Sequence, residues 1–185
     1  MGEILLPKDS GEYAGIVSEV FAEVIRKSAL GQAAIDGEIT PSLLQTLRYV
    51  YLHGPSSIRK IGAGLSISVS AASQLVDRLV HKDLVKRRET ECDRRLATVE
   101  LTDAGRKLVI EARQERTQWM ERILDGMPQE RRQALVESLE EFIRIALSAE
   151  ADIDHACVRC GIEHLAFCVL NRAHIAATGQ QIEDY

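Results

Sequence analysis

Apolar and polar positions along this chain follow two periods, and each change of period marks an element. From about Glu12 to Ile35, Val17, Val20, Phe21, Val24, Ile25 and Ser28 share one face, with charges opposite. That is the 3.6-residue repeat of an amphipathic helix. Gly31 and Gly37 loosen its end. Thr40-Pro41 is a start signal, a hydroxyl cap followed by proline at the first helical position. This second helix ends at Gly54-Pro55. Ser57 caps a short helix through about Gly64. Ser66 to Ser68 form a turn, and Ser68 caps a further helix to about Lys82. On it Ala72, Leu75, Val76 and Leu79 form a core stripe, while Ser70, Ala71, Ser73, Gln74 and Arg78 make a small, polar opposite face.

The period then shortens. Leu84 to Arg88 and Leu96 to Leu101 read as strands, with the charged run Glu89 to Arg95 as the hairpin tip between them. Thr102-Asp103 starts a long helix toward Ile123, broken at Gly126-Met127-Pro128, and another helix runs from Gln129 to about Ala149. Leu108, Ala112, Trp119 and Ile123, then Leu135, Leu139, Phe142, Ile143 and Ala146, recur with heptad-like spacing. Helices this long exceed what a small core covers, so a second subunit is expected against them. The expected fold is mainly α: a winged helix-turn-helix with long dimerisation helices and a two-stranded β wing. The expected units are an N-terminal dimerisation helix (1–38), a winged helix-turn-helix (39–102), C-terminal dimerisation helices (103–151) and a Cys-rich tail (152–185).

Composition adds detail. Aromatics are 4% of residues, so the core is built from Leu, Ile, Val and Ala, which suits helices. The start MGEILLPKDSGEY has no charged residue leading into a long apolar run. It reads as neither a signal peptide nor a membrane span, and a cytoplasmic location is expected. The net charge of −5 argues against a nucleic-acid partner until its distribution is examined. From Arg59 to Arg95 nine Lys/Arg face five acids, a local +4 that leaves −9 on the rest. A basic patch on an acidic body is an electrostatic footprint.

The helix from Ser68 and the basic hairpin together suit duplex DNA. The major groove admits one α-helix and carries a distinct donor and acceptor pattern for each base pair. A reading helix needs short polar residues near its N-terminus, so that its backbone comes close. Ser68, Ser70, Ala71, Ser73 and Gln74 meet that need, and Gln74 has the groups to bond adenine bidentately. Arg94 and Arg95 at the tip suit phosphates or a narrow minor groove. Arg87 and Arg88 suit backbone contacts, and Asp93 suits an orienting partner for Arg94.

The run from Ile39 to Leu108 resembles the MarR family of winged helix-turn-helix regulators. The matching elements are ITPSLLQTLRYVYLHGP, LVDRLVHKDLVKRRE, the DRR of the wing and VELTDAGRKL. The resemblance implies a homodimer on a pseudo-palindromic operator, with half-sites about one helical turn apart. It implies a repressor, less often an activator, whose DNA affinity responds to a ligand, metal or oxidant. It also implies base or phosphate contacts by Ser68, Ser70, Ala71, Ser73, Gln74 and Arg78, and minor-groove entry by Arg94. Small aromatic effectors often sit between the dimer helices and the reading domain in that family. Tyr49, Tyr51 and Trp119 suit such a space, and suit core packing equally. Asp83 departs from the family, which usually has glycine there. The tail is not a general family feature.

That tail reads HACVRCGIEHLAFCVLNRAHIAATG. Cys157-x-x-Cys160-Gly161 is a metal-knuckle pattern, two thiolates at a turn that glycine permits. A helix from about Ile162 to Thr178, ending at Gly179, places His164 and Cys168 on one face. Cys157, Cys160, His164 and Cys168 thus form a Cys₃His set for structural Zn²⁺, or the cysteines hold an iron–sulfur cluster. His155 and His174 are weaker candidates. A continuous helix from 157 to 168 separates its ends by about 16 Å, too far for one metal. The site therefore requires reversal near Gly161; otherwise the cysteines are packing residues. Cys92 sits beside Arg94, which favours the reactive thiolate, but between Glu91 and Asp93, which oppose it. It reads as a redox thiol or an inconsequential exposed one.

Two other functions remain to weigh. An enzyme using the Cys/His centre needs a general base and an open metal position. The tail shows no paired carboxylates, Ser-His-Asp set or phosphate-cradling loop, so no enzyme is expected. A protein-interaction scaffold would show no DNA sequence preference.

Overall fold

The computed structural model describes residues 10–28, 39–90, 93–147 and 168–181, together with Ile153, Ala156, Cys157 and Cys160. Of residues 89–90 and 93–96 only the backbone is described. Helix α1 spans Ser10–Ser28 and α2 spans Pro41–His53. Strand β1 (Ser56–Ser57) leads into α3 (Ile58–Leu65) and α4 (Val69–His81). Strands β2 (Val85–Thr90) and β3 (Asp93–Leu101) precede α5 (Asp103–Asp125), α6 (Gln129–Ala146) and α7 (Val169–Thr178).

Hydroxyl caps start four of these helices. Thr40 accepts from the Leu43 amide, Ser57 from Lys60, Ser68 from Ala71 and Thr102 from Gly105, at 3.0–3.4 Å. Each satisfies an amide that has no partner within its helix, which stabilises by about 0.5–2 kcal/mol. The caps set the phase of the apolar stripes that follow. Leu43, Leu44 and Leu47 of α2, Ile61 and Leu65 of α3, and Ala72, Val76 and Leu79 of α4 close on one core with Val85 and Val99 of the wing. The early part of α5 joins through Val109 and Ala112.

The sheet has three strands in the order β1-β3-β2, all antiparallel. The expectation of a two-stranded wing is thus one strand short. β1 is only two residues long and pairs Ser56 with Val99 and Ser57 with Thr98, too short to show alternation. The hairpin also runs further than expected. Pairing continues to Thr90 and Asp93 past an irregularity between Arg88 and Thr90, so strand occupies most of the expected tip. Extended backbone tolerates charged side chains where both faces meet water, and a charge run is therefore no sign of a loop. Cys92 lies outside the described residues.

Two backbone positions hold the wing to α4 and α5. Asp83 has φ +54, the left-handed conformation that glycine adopts most easily. This is why glycine is the usual residue at that position in the resembled family. Its carbonyl accepts the Thr102 hydroxyl at 2.7 Å, tying the end of α4 to the start of α5. Gly105 sits against the Leu84 carbonyl, where a Cβ would overlap backbone.

The long helices are far less covered. Along α1, Ile16, Val17, Val20, Phe21 and Val24 are all exposed. Helix α6 buries no residue, and Phe142 and Ile145 stand in solvent. Trp119 is half-buried and Ile123 exposed. The stretches 29–38 and 148–152, where two helix ends were expected, lie outside the described residues. Among the described residues no helix is long and apolar enough to cross a membrane.

A second, smaller apolar cluster joins Ile143 and Leu147 to Ile153, Cys157, Leu170 and Ala173. Here the expectation of a helix from Ile162 is corrected. Cys168 is the extended N-cap of α7, with φ −60 and ψ 129, so no helix runs unbroken through it; residues 161–167, His164 among them, lie outside the described residues. The helix starts where Leu170 and Ala173 can pack beneath it and where Arg172 reaches Glu140 of α6 at 3.0 Å. Gly179, at φ +76, ends α7 as expected.

Candidate nucleic-acid interface

The turn between α3 and α4 is tight. Ser66 takes a left-handed conformation, and the Ile67 amide donates to the Gly62 carbonyl at 2.9 Å. That turn aims the N-terminus of α4 outward. The two faces of α4 then separate cleanly. Ala72, Val76 and Leu79 have no exposure, whereas Ser68, Ser70, Gln74 and Arg78 are exposed and Ala71 and Ser73 half-buried. The outward face is short, polar and unencumbered, as close approach to base edges requires.

Val69 was missed by the reading from sequence. It is 54% exposed at the first position of α4, an apolar side chain held in water beside polar ones. Apolar contact is how a side chain recognises the thymine methyl. The signal was present as a valine between two serines, outside the core stripe.

The wing arginines part company. Neighbouring strand residues point to opposite faces. Arg87 lies opposite Val99, on the side facing α4, and its Nη2 donates to Asp77 Oδ1 at 2.6 Å. Arg88 lies opposite Thr98 on the other side and pairs with Glu100 at 3.4 Å, which Lys86 also approaches at 3.8 Å. Thus Arg87 braces the wing against the reading helix, and Arg88 belongs to a separate cluster. Both guanidinium groups are partly exposed, and pairs of this kind are weak enough for phosphate to compete. Arg94 and Arg95 lie on β3 with side chains outside the described part, as does that of Asp93. Arg59, Lys60, Arg78, Lys82 and Lys86 are exposed, so the described part of the local positive charge is on the surface.

Between α2 and α5, Arg48 is half-buried near Arg116. Burial first, and then the like charge of Arg116, pull its pKa below the ordinary arginine value. Tyr49 faces inward with its ring 4.4 Å from that of His53, and burial raises its pKa. It is therefore a core residue. Tyr51 carries the Arg106 guanidinium 5.5 Å over its ring.

Of the Cys/His set, Cys157 is buried and Cys160 and Cys168 are half-buried in the second cluster. His164 and His155 lie outside the described residues. His174 is buried, its Nδ1 2.9 Å from the Gln180 carbonyl, a contact that closes the end of α7.

Comparison with known proteins agrees with this geometry. The family profile described as MarR family matches residues 38–96. The chain is 28% identical over 114 residues to the HTH-type transcriptional repressor MdtR of Bacillus subtilis, covering 62% of this chain and 72% of that one. It is 26% identical over 85 residues to the uncharacterized HTH-type transcriptional regulator YpoP of Bacillus subtilis, of whose length it spans 60%. Among solved structures, RV1404 from Mycobacterium tuberculosis matches with a TM-score of 0.62 at 26% identity, over 77% of this chain and 96% of that one. The fold is also that of FabT from Streptococcus pneumoniae, solved in complex with DNA, with a TM-score of 0.58 at 19% identity over 75% of this chain and 97% of that one. Residues 38–96 thus match the MarR family model, and the chain is similar to HTH-type transcriptional regulators rather than to enzymes.

Proposed function

We propose that this chain is a homodimeric repressor that lays α4 in the major groove of a pseudo-palindromic operator. The observation that carries the reading is the division of α4, with Ala72, Val76 and Leu79 sealed in the core and Ser68, Ser70, Gln74 and Arg78 presented to solvent. In this reading Ser70 and Gln74 contact base edges, with Ala71 and Ser73 letting the backbone approach. Ser68 and Arg78 bind phosphate, Arg94 enters the minor groove, and Arg95 and Arg88 bind the flanking backbone. Arg87 holds the wing in place.

Dimerisation is supported by the exposed apolar stripe of α1 and by the uncovered α6, surfaces too apolar to remain in water. Repression is supported by the resemblance to a named repressor. Response to a small aromatic effector is supported by the resemblance to the MarR family.

The test is selection of a binding site from random DNA, followed by gel-shift titration. Affinity for the selected site should fall by about 10³-fold or more between about 50 and 200 mM salt. Gln74→Ala should cost about 1–3 kcal/mol at one base position and relax specificity there. Arg94→Ala should weaken binding to every sequence. Absence of a selected sequence, with binding indifferent to salt, rejects the reading in favour of a protein-interaction scaffold.

A further inference from the structure

Among the described residues of the winged unit, two large apolar side chains stand exposed, Val69 and Val80, both on α4. Val80 lies in the last turn, about 16 Å along the helix axis from Val69. Val69, 54% exposed, is the first residue of α4, between the exposed Ser68 and Ser70. Folding gives no reason for a valine there. It belongs to neither apolar cluster. On an exposed turn valine is a weaker helix former than alanine or glutamate. The apolar contact that fixes the entry to a helix is already supplied by Ile67, the residue before the cap, which packs against the core that holds Ala72. The first turn of α4 also carries no acid, although a helix N-terminus favours one. That end is thus free of charge that would repel phosphate.

Given the reading of α4 as the major-groove element, on which this rests, we propose that Val69 is a specificity-determining residue that packs against the C5 methyl of a thymine in each half-site. That methyl is the one apolar group that unmodified bases present in the major groove; the other edge groups are hydrogen-bond donors and acceptors. A valine side chain can neither donate nor accept, so thymine is the base it favours. In helix-turn-helix proteins the N-terminal residues of the second helix reach the base edges, and Val69 is at that end. Val69 and Ser73 stand one turn apart, as do Ser70 and Gln74, so the two rows run side by side. Val69 therefore borders the row assigned to base edges. Valine is also β-branched and stiff about χ1, so little side-chain freedom is lost when the contact forms.

The experiment uses the full chain and the site it selects from random DNA. Each thymine of one half-site is replaced in turn by uracil, which keeps the pairing and the O4 acceptor and removes only the methyl. At one position the native protein should bind the uracil site about three- to fivefold more weakly, the worth of one buried methyl. That position should differ from the one at which Gln74→Ala relaxes specificity. Val69→Ser should bind the thymine and uracil sites alike, with the affinity that the native protein has for the uracil site. Arg94→Ala should bind both more weakly and keep the difference between them. Indifference of the native protein to every uracil overturns the proposal, and so does a Val69→Ser variant that keeps the full uracil effect. A Val69→Ser variant that unfolds as readily as one with a core valine removed also overturns it, since the side chain would then be held inside the protein. The two failures are distinguishable. If no site is selected, the reading of α4 falls and Val69 with it; a selected site that depends on Gln74 but not on any thymine methyl sinks the role of Val69 alone.

Discussion

In the winged unit the apolar stripes of α2, α3 and α4 meet one another, and Leu47, Ile61, Val76 and Leu79 have no exposure. Along α1 a stripe of equal regularity, from Ile16 to Val24, is left in water, and α6 buries nothing. Amphipathic periodicity alone thus does not say whether a helix is covered by its own chain. The difference lies in what the neighbouring sequence supplies. Between Pro41 and Leu101 short, capped elements turn the chain back on itself, whereas α5 and α6 run on with only Gly126 to Pro128 between them. The first region closes its core within one chain, and the second leaves its apolar stripes exposed among the described residues.

That contrast can be tested first at its strongest point. Leu79→Ala removes a fully buried side chain from the reading helix and should cost about 2–5 kcal/mol, measured by urea unfolding. A loss below about 1 kcal/mol would mean that the winged unit is packed more loosely than its burial indicates. Next, Val20→Glu with Phe21→Glu should leave the winged unit folded but cost about 2 kcal/mol or more of self-association, read by analytical ultracentrifugation. An unchanged oligomer would remove α1 from the interface. The smallest effect is at Asp83. Asp83→Val forces a β-branched residue into the left-handed region and should destabilise by about 1–2 kcal/mol. Asp83→Gly should remain within about 1 kcal/mol of the native protein. Equal stability for all three would show that this turn does not constrain the wing.

Much of the winged unit was legible in the residues because its signals are local. Thr40, Ser57, Ser68 and Thr102 announce helix starts by side-chain chemistry, and the stripes follow from there. Strand β1 was not legible, since two serines show no period and pair only because β3 arrives beside them. The hairpin's length was hidden by its charge. The separate placement of Arg87 and Arg88 was legible in principle from strand alternation, but Asp77 as the partner was not, because it lies ten residues away on α4. In the tail, the cysteine spacing was visible, while the extended conformation of Cys168 depends on packing between segments.

The most direct test of the account is chemical footprinting of the selected operator in complex with the protein. It should show purine N7 protection in the major groove in two patches about one helical turn apart, with Gln74→Ala altering reactivity at one position in each. Protection confined to the minor groove, or a footprint that Gln74→Ala leaves unchanged while binding persists, would contradict the assignment of α4 as the reading element.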